Sequence, residues 1–398
     1  MSNESLTVIR EVIDVVRETI FTSIPEPASR EKATVLTSIG LELTACDPLS
    51  VFYDALDVTN RIPVTWNGIT IPSIREDTIH DVIRAMAKKN LLLESFSIID
   101  QMHPSPKKLL ALMICTNQQF DNGEIIQGVQ SLESVINNVD RYRGSIKYYS
   151  LLHEIVICMT KVDNQKALAI SESIEDPAYR AKSLASIALS VNANSKSWAE
   201  SLIDLALFFT NEIDQPRWRY DRVVDTLIYI ANCLYTIDIN KAKEITQRVI
   251  SIASNLPDDD CLASMSLRVI VEWLVNIDFE LAKMVVSKIN DKDYQEIALM
   301  YVILTEAKTD YIKALEMIDR FSEDIRSKAY PVILGYLIEK DTNKFISEFP
   351  GLRKYSQKSI YKGIVPLTKS ICSSNLMGSD DDLMELRRIT LNAPEIVV

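Results

Sequence analysis

The sequence predicts an all-α chain: a right-handed α-solenoid of about ten helix–turn–helix repeats, 31–44 residues each, with a small inserted β-hairpin near 62–71. Three observations predict it. Glycine is scarce, 9 residues in 398, and good helix formers dominate. An aspartate recurs four residues ahead of a small or apolar residue that opens a helical pattern: Asp163 with Ala167, Asp238 with Ala242, Asp278 with Ala282, Asp310 with Ala314 and Asp341 with Phe345. The stretch SIEDPAYRAKSLASIALSV at 173–191 also echoes SIPEPASREKATVLTSIGLEL at 23–43, with Arg six residues after Ile in both (Ile24 to Arg30, Ile174 to Arg180).

Each observation has a physical reason. Aspartate is a preferred N-cap because its carboxylate accepts the free amide protons of the first turn and suits the positive end of the helix dipole. The small residue four positions on lets a neighbouring helix approach closely. An apolar residue followed by Pro, Asp or both marks the turn between the two helices of a repeat: Ile24-Pro25, Met102-His103-Pro104, Ile174 to Pro177, Ile213 to Pro216 and Leu256-Pro257. The residue before proline is pushed out of the α region, so the first helix stops there. The second helix then carries apolar residues at helical spacing, as at Leu184, Ile187, Ala188 and Val191.

Taken in order, the first twenty residues alternate charge with apolar residues as an amphipathic helix and not as a signal peptide. Asn3, Asp47 before Pro48, Asn90, Asp121 and Asn194 join the aspartates as candidate caps. The ten caps are spaced by about 42 or about 31 residues, a difference of about three helical turns that preserves the direction of the apolar face. One hairpin cannot bury both its faces; stacked neighbours can. In the second repeat, between helices at about 48–58 and 75–89, residues 61–72 read RIPVTWNGITIP. Asn67-Gly68 between alternating apolar residues is a hairpin signal, and Pro63 and Pro72 bound it. This hairpin is either a cap over a solenoid edge or a partner-binding finger anchored by Trp66. The solenoid extends over 1–372; residues 373–398 read as a loop, a capping helix begun by Asp380-Asp381-Asp382, and a tail.

On these repeats the chain resembles the tetratricopeptide-like and HEAT-like helical-repeat families, nearest to degenerate tetratricopeptide-like solenoids. The tetratricopeptide signature itself is not met: proline lies inside the repeat and the spacing is uneven. The resemblance covers nearly the whole chain, is architectural, and implies a protein-binding scaffold. It carries over no site residues.

The chemistry-bearing residues fit that class. The formal charge of −12 opposes a general nucleic-acid surface while leaving room for a local basic patch. The six cysteines stand singly inside apolar stretches and read as reduced, buried thiols. His80, His103 and His153 lie in different repeats without metal-ligand spacing, and GxSxG, GxGxxG and P-loop patterns are absent, so neither enzyme chemistry, cofactor nor metal is expected. No run of 18 apolar residues predicts a membrane span, and a cytoplasmic location is expected.

Binding candidates come from basic–aromatic clusters. Arg141-Tyr142-Arg143 precedes Lys147-Tyr148-Tyr149; Arg217, Trp218, Arg219 and Tyr220 precede Arg222. Phe349 to Ser379 holds no acidic residue, and Arg353, Lys354, Lys358 and Lys362 lie there, the three lysines on one helix face. Aromatics interleaved with arginine anchor protein interfaces and equally stack on nucleic-acid bases. The recurrent Arg30, Arg180 and Arg219 either tie adjacent repeats together or form a ligand-facing row. The leading expectation is a non-enzymatic scaffold that binds a protein or peptide on the concave surface of its first helices, or through the hairpin and the C-terminal basic face; the alternative is a nucleic-acid-associated repeat protein using the Arg/aromatic turns and the basic 353–369 face.

Overall fold

The computed structural model describes residues 29–42, 48–62, 65–66, 69–70, 72–145, 147–213, 220–256, 261–322, 325–326, 329–330 and 332–333. The expected caps Asn3, Asp47 and Asp341, the basic face at 353–369 and the tail at 373–398 lie outside the described residues.

The described chain is helical. In order come α1 (Ser29–Glu42), α2 (Leu49–Asn60), the strands β1 (Thr65–Trp66) and β2 (Ile69–Thr70), α3 (Pro72–Lys88), α4 (Leu92–Gln101), α5 (Pro106–Asp121) and α6 (Ile125–Val139). Then follow α7 (Tyr148–Met159), α8 (Asn164–Glu172), α9 (Pro177–Val191), α10 (Lys196–Thr210), α11 (Tyr220–Ile237), α12 (Ile239–Ser254), α13 (Leu262–Leu274), α14 (Phe279–Val286), α15 (Lys292–Ala307) and α16 (Tyr311–Ile318). Where the hairpin is expected, β1 and β2 form a two-residue antiparallel ladder, Thr65 opposite Thr70 and Trp66 opposite Ile69. Its turn residues, Asn67 and Gly68, lie outside the described residues.

The chain divides into two compact units, 1–95 with 303–398, and 96–302. In the first, α1, α2 and α3 pack on one another. Gly40 makes the α1–α2 approach possible: a Cβ there would lie 2.6 Å from the ring of Phe52, which is fully buried.

The second unit has two layers. Helices α5, α7, α9, α11 and α13 lie side by side, each packed on the next of that set. Helices α6, α8, α10, α12 and α14 each pack against the helix that precedes them in the chain. One hydrophobic core runs between the layers, from Leu109 on α5 to Val302 on α15. The four positions of the α9 pattern, Leu184, Ile187, Ala188 and Val191, all face it.

The caps explain why the helices start where they do. Asp163 Oδ1 accepts the amide protons of Gln165 and Lys166, Asp238 Oδ1 those of Asn240 and Lys241, Asp278 Oδ1 that of Leu281, and Asp310 Oδ1 that of Lys313, at 3.0–3.2 Å. The alanine four residues after each cap (Ala167, Ala242, Ala282, Ala314) is completely buried, as close helix approach requires. Asp163→Ala is expected to weaken α8 by about 1 kcal/mol. Amide hydrogen exchange across 164–172 measures it, with faster exchange there than in the native chain.

Three expected caps are corrected. Asp121 ends α5 and pairs with Lys161 Nζ at 2.5 Å; Glu124 occupies the N-cap position of α6. Asn90 follows α3 with φ +62, a left-handed residue that asparagine tolerates, and so ends a helix where it was expected to begin one. Ser195, not Asn194, stands at the start of α10. The cysteine expectation also changes: Cys115, Cys158 and Cys233 are buried, but Cys261 is exposed with φ +53 at the N-cap position of α13, where the chain turns into the helix. Cys46 and Cys372 lie outside the described residues.

Candidate functional site

Helices α7, α9, α11 and α13 stand side by side, so side chains on their outer surface meet across the seams. Along these seams the unit carries several aromatic contacts and paired polar groups.

The α7–α9–α11 seam begins at the turn before α9. Asp176 Oδ1 accepts the amide protons of Ala178 and Tyr179, both at 3.1 Å, and so caps α9. The same carboxylate binds Arg222 of α11, with Nη2 donating to both oxygens at 2.6 Å. Proline at the first position of α9 costs nothing because its missing N–H has no helical partner. The repeated stretch is therefore both a helix start and a tie to the helix 46 residues on. Beside it, Tyr149 of α7 donates to Glu175 Oε2 at 3.2 Å.

One turn further along α9, Lys182 pairs with Asp225 of α11. Its ammonium lies 5.7 Å from the ring centre of Tyr179 and 5.9 Å from that of Tyr229, within cation–π range. Ser183 and Ser186 keep α9 small at this level. Tyr229 of α11 shares a 2.7 Å hydrogen bond with Ser186, and its ring meets the His153 ring of α7 edge-on at 5.4 Å. His153 Nδ1 in turn lies 3.0 Å from Ser183 Oγ. Burial holds His153 neutral, lowering its pKa from 6.5 to about 3, with the Lys182 charge acting in the same direction. Burial likewise pushes the Tyr229 phenol up to about 12. A neutral imidazole and an un-ionised phenol, packed ring to ring, act as a lock joining three helices.

The α11–α13 seam is more open. Tyr235 and Trp273 meet edge-on with ring centres 5.8 Å apart, and Trp273 Nε1 reaches Asn232 Oδ1 at 3.5 Å. Arg268 of α13 pairs with Glu272 at 3.0 Å and approaches the Tyr301 hydroxyl at 3.4 Å. Among the described residues, Lys182, Arg222 and Arg268 are thus each matched by a carboxylate within the face.

The structure treats the sequence candidates unevenly. Trp66 lies in β1 and Tyr220 opens α11, but their side chains are outside the described set, as are Arg217, Trp218, Arg219, Arg353, Lys354, Lys358 and Lys362. The Arg141–Tyr149 cluster divides: Tyr148 turns inward and donates to Asp140, Tyr149 joins the α7–α9 seam, and Arg141 and Arg143 are exposed. Arg180 stacks over Phe209 of α10, its guanidinium carbon 4.2 Å from the ring centre, and Arg30 is exposed. Arg180 thus packs against the following helix through a ring rather than a carboxylate, Arg219 lies outside the described residues, and Arg222, outside that recurrent set, is tied to Asp176. Sequence reasoning passed over His153, Tyr179, Lys182, Tyr229, Asn232 and Trp273 as a group. The usable signal was the recurrence of Tyr, Trp or Asn on the solvent side of successive second helices, beside positions kept small by serine.

Among the described residues no helix is long and apolar enough to cross a membrane, and no group of three or more His, Cys, Asp or Glu side chains is placed to hold a metal ion. No protein-family model, curated protein or solved structure matches the chain.

Proposed function

We propose that the chain is a tetratricopeptide-like α-solenoid acting as a non-enzymatic scaffold, and that the face of α7, α9, α11 and α13 receives a protein or peptide partner. The observation that carries this reading is the face itself. It presents half-buried Tyr and Trp rings, which bring large contact area at low entropic cost, among charges already paired within the chain. Among the described residues of the seams, Arg222, Lys182 and Arg268 are already paired, which favours a partner other than a phosphate backbone there, because counterion release needs cations free to neutralise it. The expected hairpin with Trp66, the Arg217–Tyr220 turn and the basic face Arg353, Lys354, Lys358 and Lys362 are further proposed contacts of the same scaffold.

Affinity capture from native lysate, followed by mass spectrometry, tests the reading when run on three forms of the chain. Asn232→Arg with Leu189→Arg places bulk and charge at exposed positions of α11 and α9. Phe208→Ala alters the other layer, where Phe208 of α10 is also exposed. The expected outcome is a partner kept by the native chain and by Phe208→Ala, and lost by the double variant with its helical circular dichroism unchanged. A partner kept by the double variant contradicts the assignment to this face. Trp66→Ala in the same capture tests the hairpin.

A further inference from the structure

We infer that the α11–α13 seam takes an extended, uncharged, proline-rich segment of the partner; this rests on the scaffold reading above. Two features of the seam point to that chemistry. The first is charge. On this seam Arg268 is engaged by Glu272, and the neighbouring α9–α11 seam holds Arg222 with Asp176 and Lys182 with Asp225, so a charged ligand here meets cations that already have partners. An uncharged ligand breaks none. The second is the balance of donors and acceptors over an aromatic floor. Trp273 Nε1 is held by Asn232 only at 3.5 Å, the outer limit of a hydrogen bond, and the exposed Asn232 amide brings two more N–H groups to the same place. The floor is the edge-on pair of Tyr235 and Trp273. The seam therefore offers loosely held donors beside rings.

A polyproline II segment is the complement of that arrangement. It has no internal hydrogen bonds, its carbonyls stay open, its prolines carry no N–H, and its rigid rings dock on aromatic side chains at little entropic cost. A helical ligand uses its carbonyls internally and leaves the Trp273 and Asn232 donors without partners.

Fluorescence anisotropy with a short fluorescein-labelled oligoproline peptide tests the inference on the full chain. Binding is expected, nearly independent of salt. Trp273→Phe, which keeps a ring and removes the N–H, is expected to weaken it roughly fivefold, the worth of one hydrogen bond. Trp273→Ala is expected to weaken it more than about tenfold, as for an interface anchor. Asn232→Ala, at an exposed position that leaves the fold intact, should reproduce the Trp273→Phe loss even where Trp273→Ala unfolds the chain. Phe208→Ala should bind as the native chain does. Failure of the oligoproline peptide to bind, while an acidic or a basic peptide binds with steep salt dependence and is lost on Asn232→Arg, overturns the inference and leaves the scaffold face standing. Failure of all three peptides, with the captured partner retained by Asn232→Arg and Leu189→Arg, overturns both.

Discussion

Asp176→Ala is expected to destabilise unit 96–302 by about 2–3 kcal/mol, because one carboxylate serves two purposes. It caps α9 through the amides of Ala178 and Tyr179, and it holds Arg222 of α11 with two hydrogen bonds. The side chains are 16% and 29% exposed, so solvent screens the pair less than an ordinary surface bridge. The two contributions separate by chemistry. Asp176→Asn keeps an acceptor for the cap and loses the charge, and is expected to cost about half as much. Arg222→Ala removes the tie and leaves the cap in place. In a urea-unfolding double-mutant cycle, Asp176→Ala and Arg222→Ala should show a coupling of about 1 kcal/mol or more. Additive losses would mean that the bridge contributes nothing beyond the cap.

Acid is expected to weaken the same unit through His153. Its pKa is about 3 in the folded chain against 6.5 when unfolded, because burial among Ser183, Tyr179 and Tyr229 disfavours the cation and Lys182 opposes it. Glu154, the next residue of α7, is the nearest acidic neighbour in sequence, yet burial and Lys182 decide the direction. The unfolded chain therefore binds the extra proton. The stability is fully present above pH 6.5 and falls as pH drops toward about 3. Two pH units below 6.5, at about pH 4.5, the loss from this one group is about 2–3 kcal/mol. His153→Gln keeps a hydrogen-bonding group for Ser183 and cannot titrate. Urea midpoints at about pH 7.5 and 4.5 should separate less for His153→Gln than for the native chain by that amount. Equal pH dependence in both would place the acid sensitivity elsewhere, in the carboxylates.

The parts of the fold legible in the sequence were those set by local chemistry. Asp163, Asp238, Asp278 and Asp310 bond amides two or three residues away, so their role is written in a short window. The buried alanines follow from the same spacing, since a residue four after a cap lies one turn in. Asn90 and Asp121 misled because asparagine serves either end of a helix and aspartate also serves as an ion-pair partner on its last turn. The seam was not legible. His153 meets Ser183 30 residues away, and Tyr229 meets Ser186 43 residues away, and these pairings depend on which helices pack side by side. In the sequence, Tyr229 and His153 are isolated side chains within apolar helices; only the packing of α7, α9 and α11 brings them together. The basic–aromatic runs drew attention because they are contiguous, yet Tyr148 turned inward and Arg222 became a tie between helices.

Amide hydrogen exchange on the chain with and without its captured partner tests the central claim most directly. The scaffold account predicts slower exchange on binding in 177–191, 220–237 and 262–274, with 196–210 and 239–254 unchanged. Protection confined to 196–210 and 239–254, with the α9, α11 and α13 segments unaffected, would contradict it.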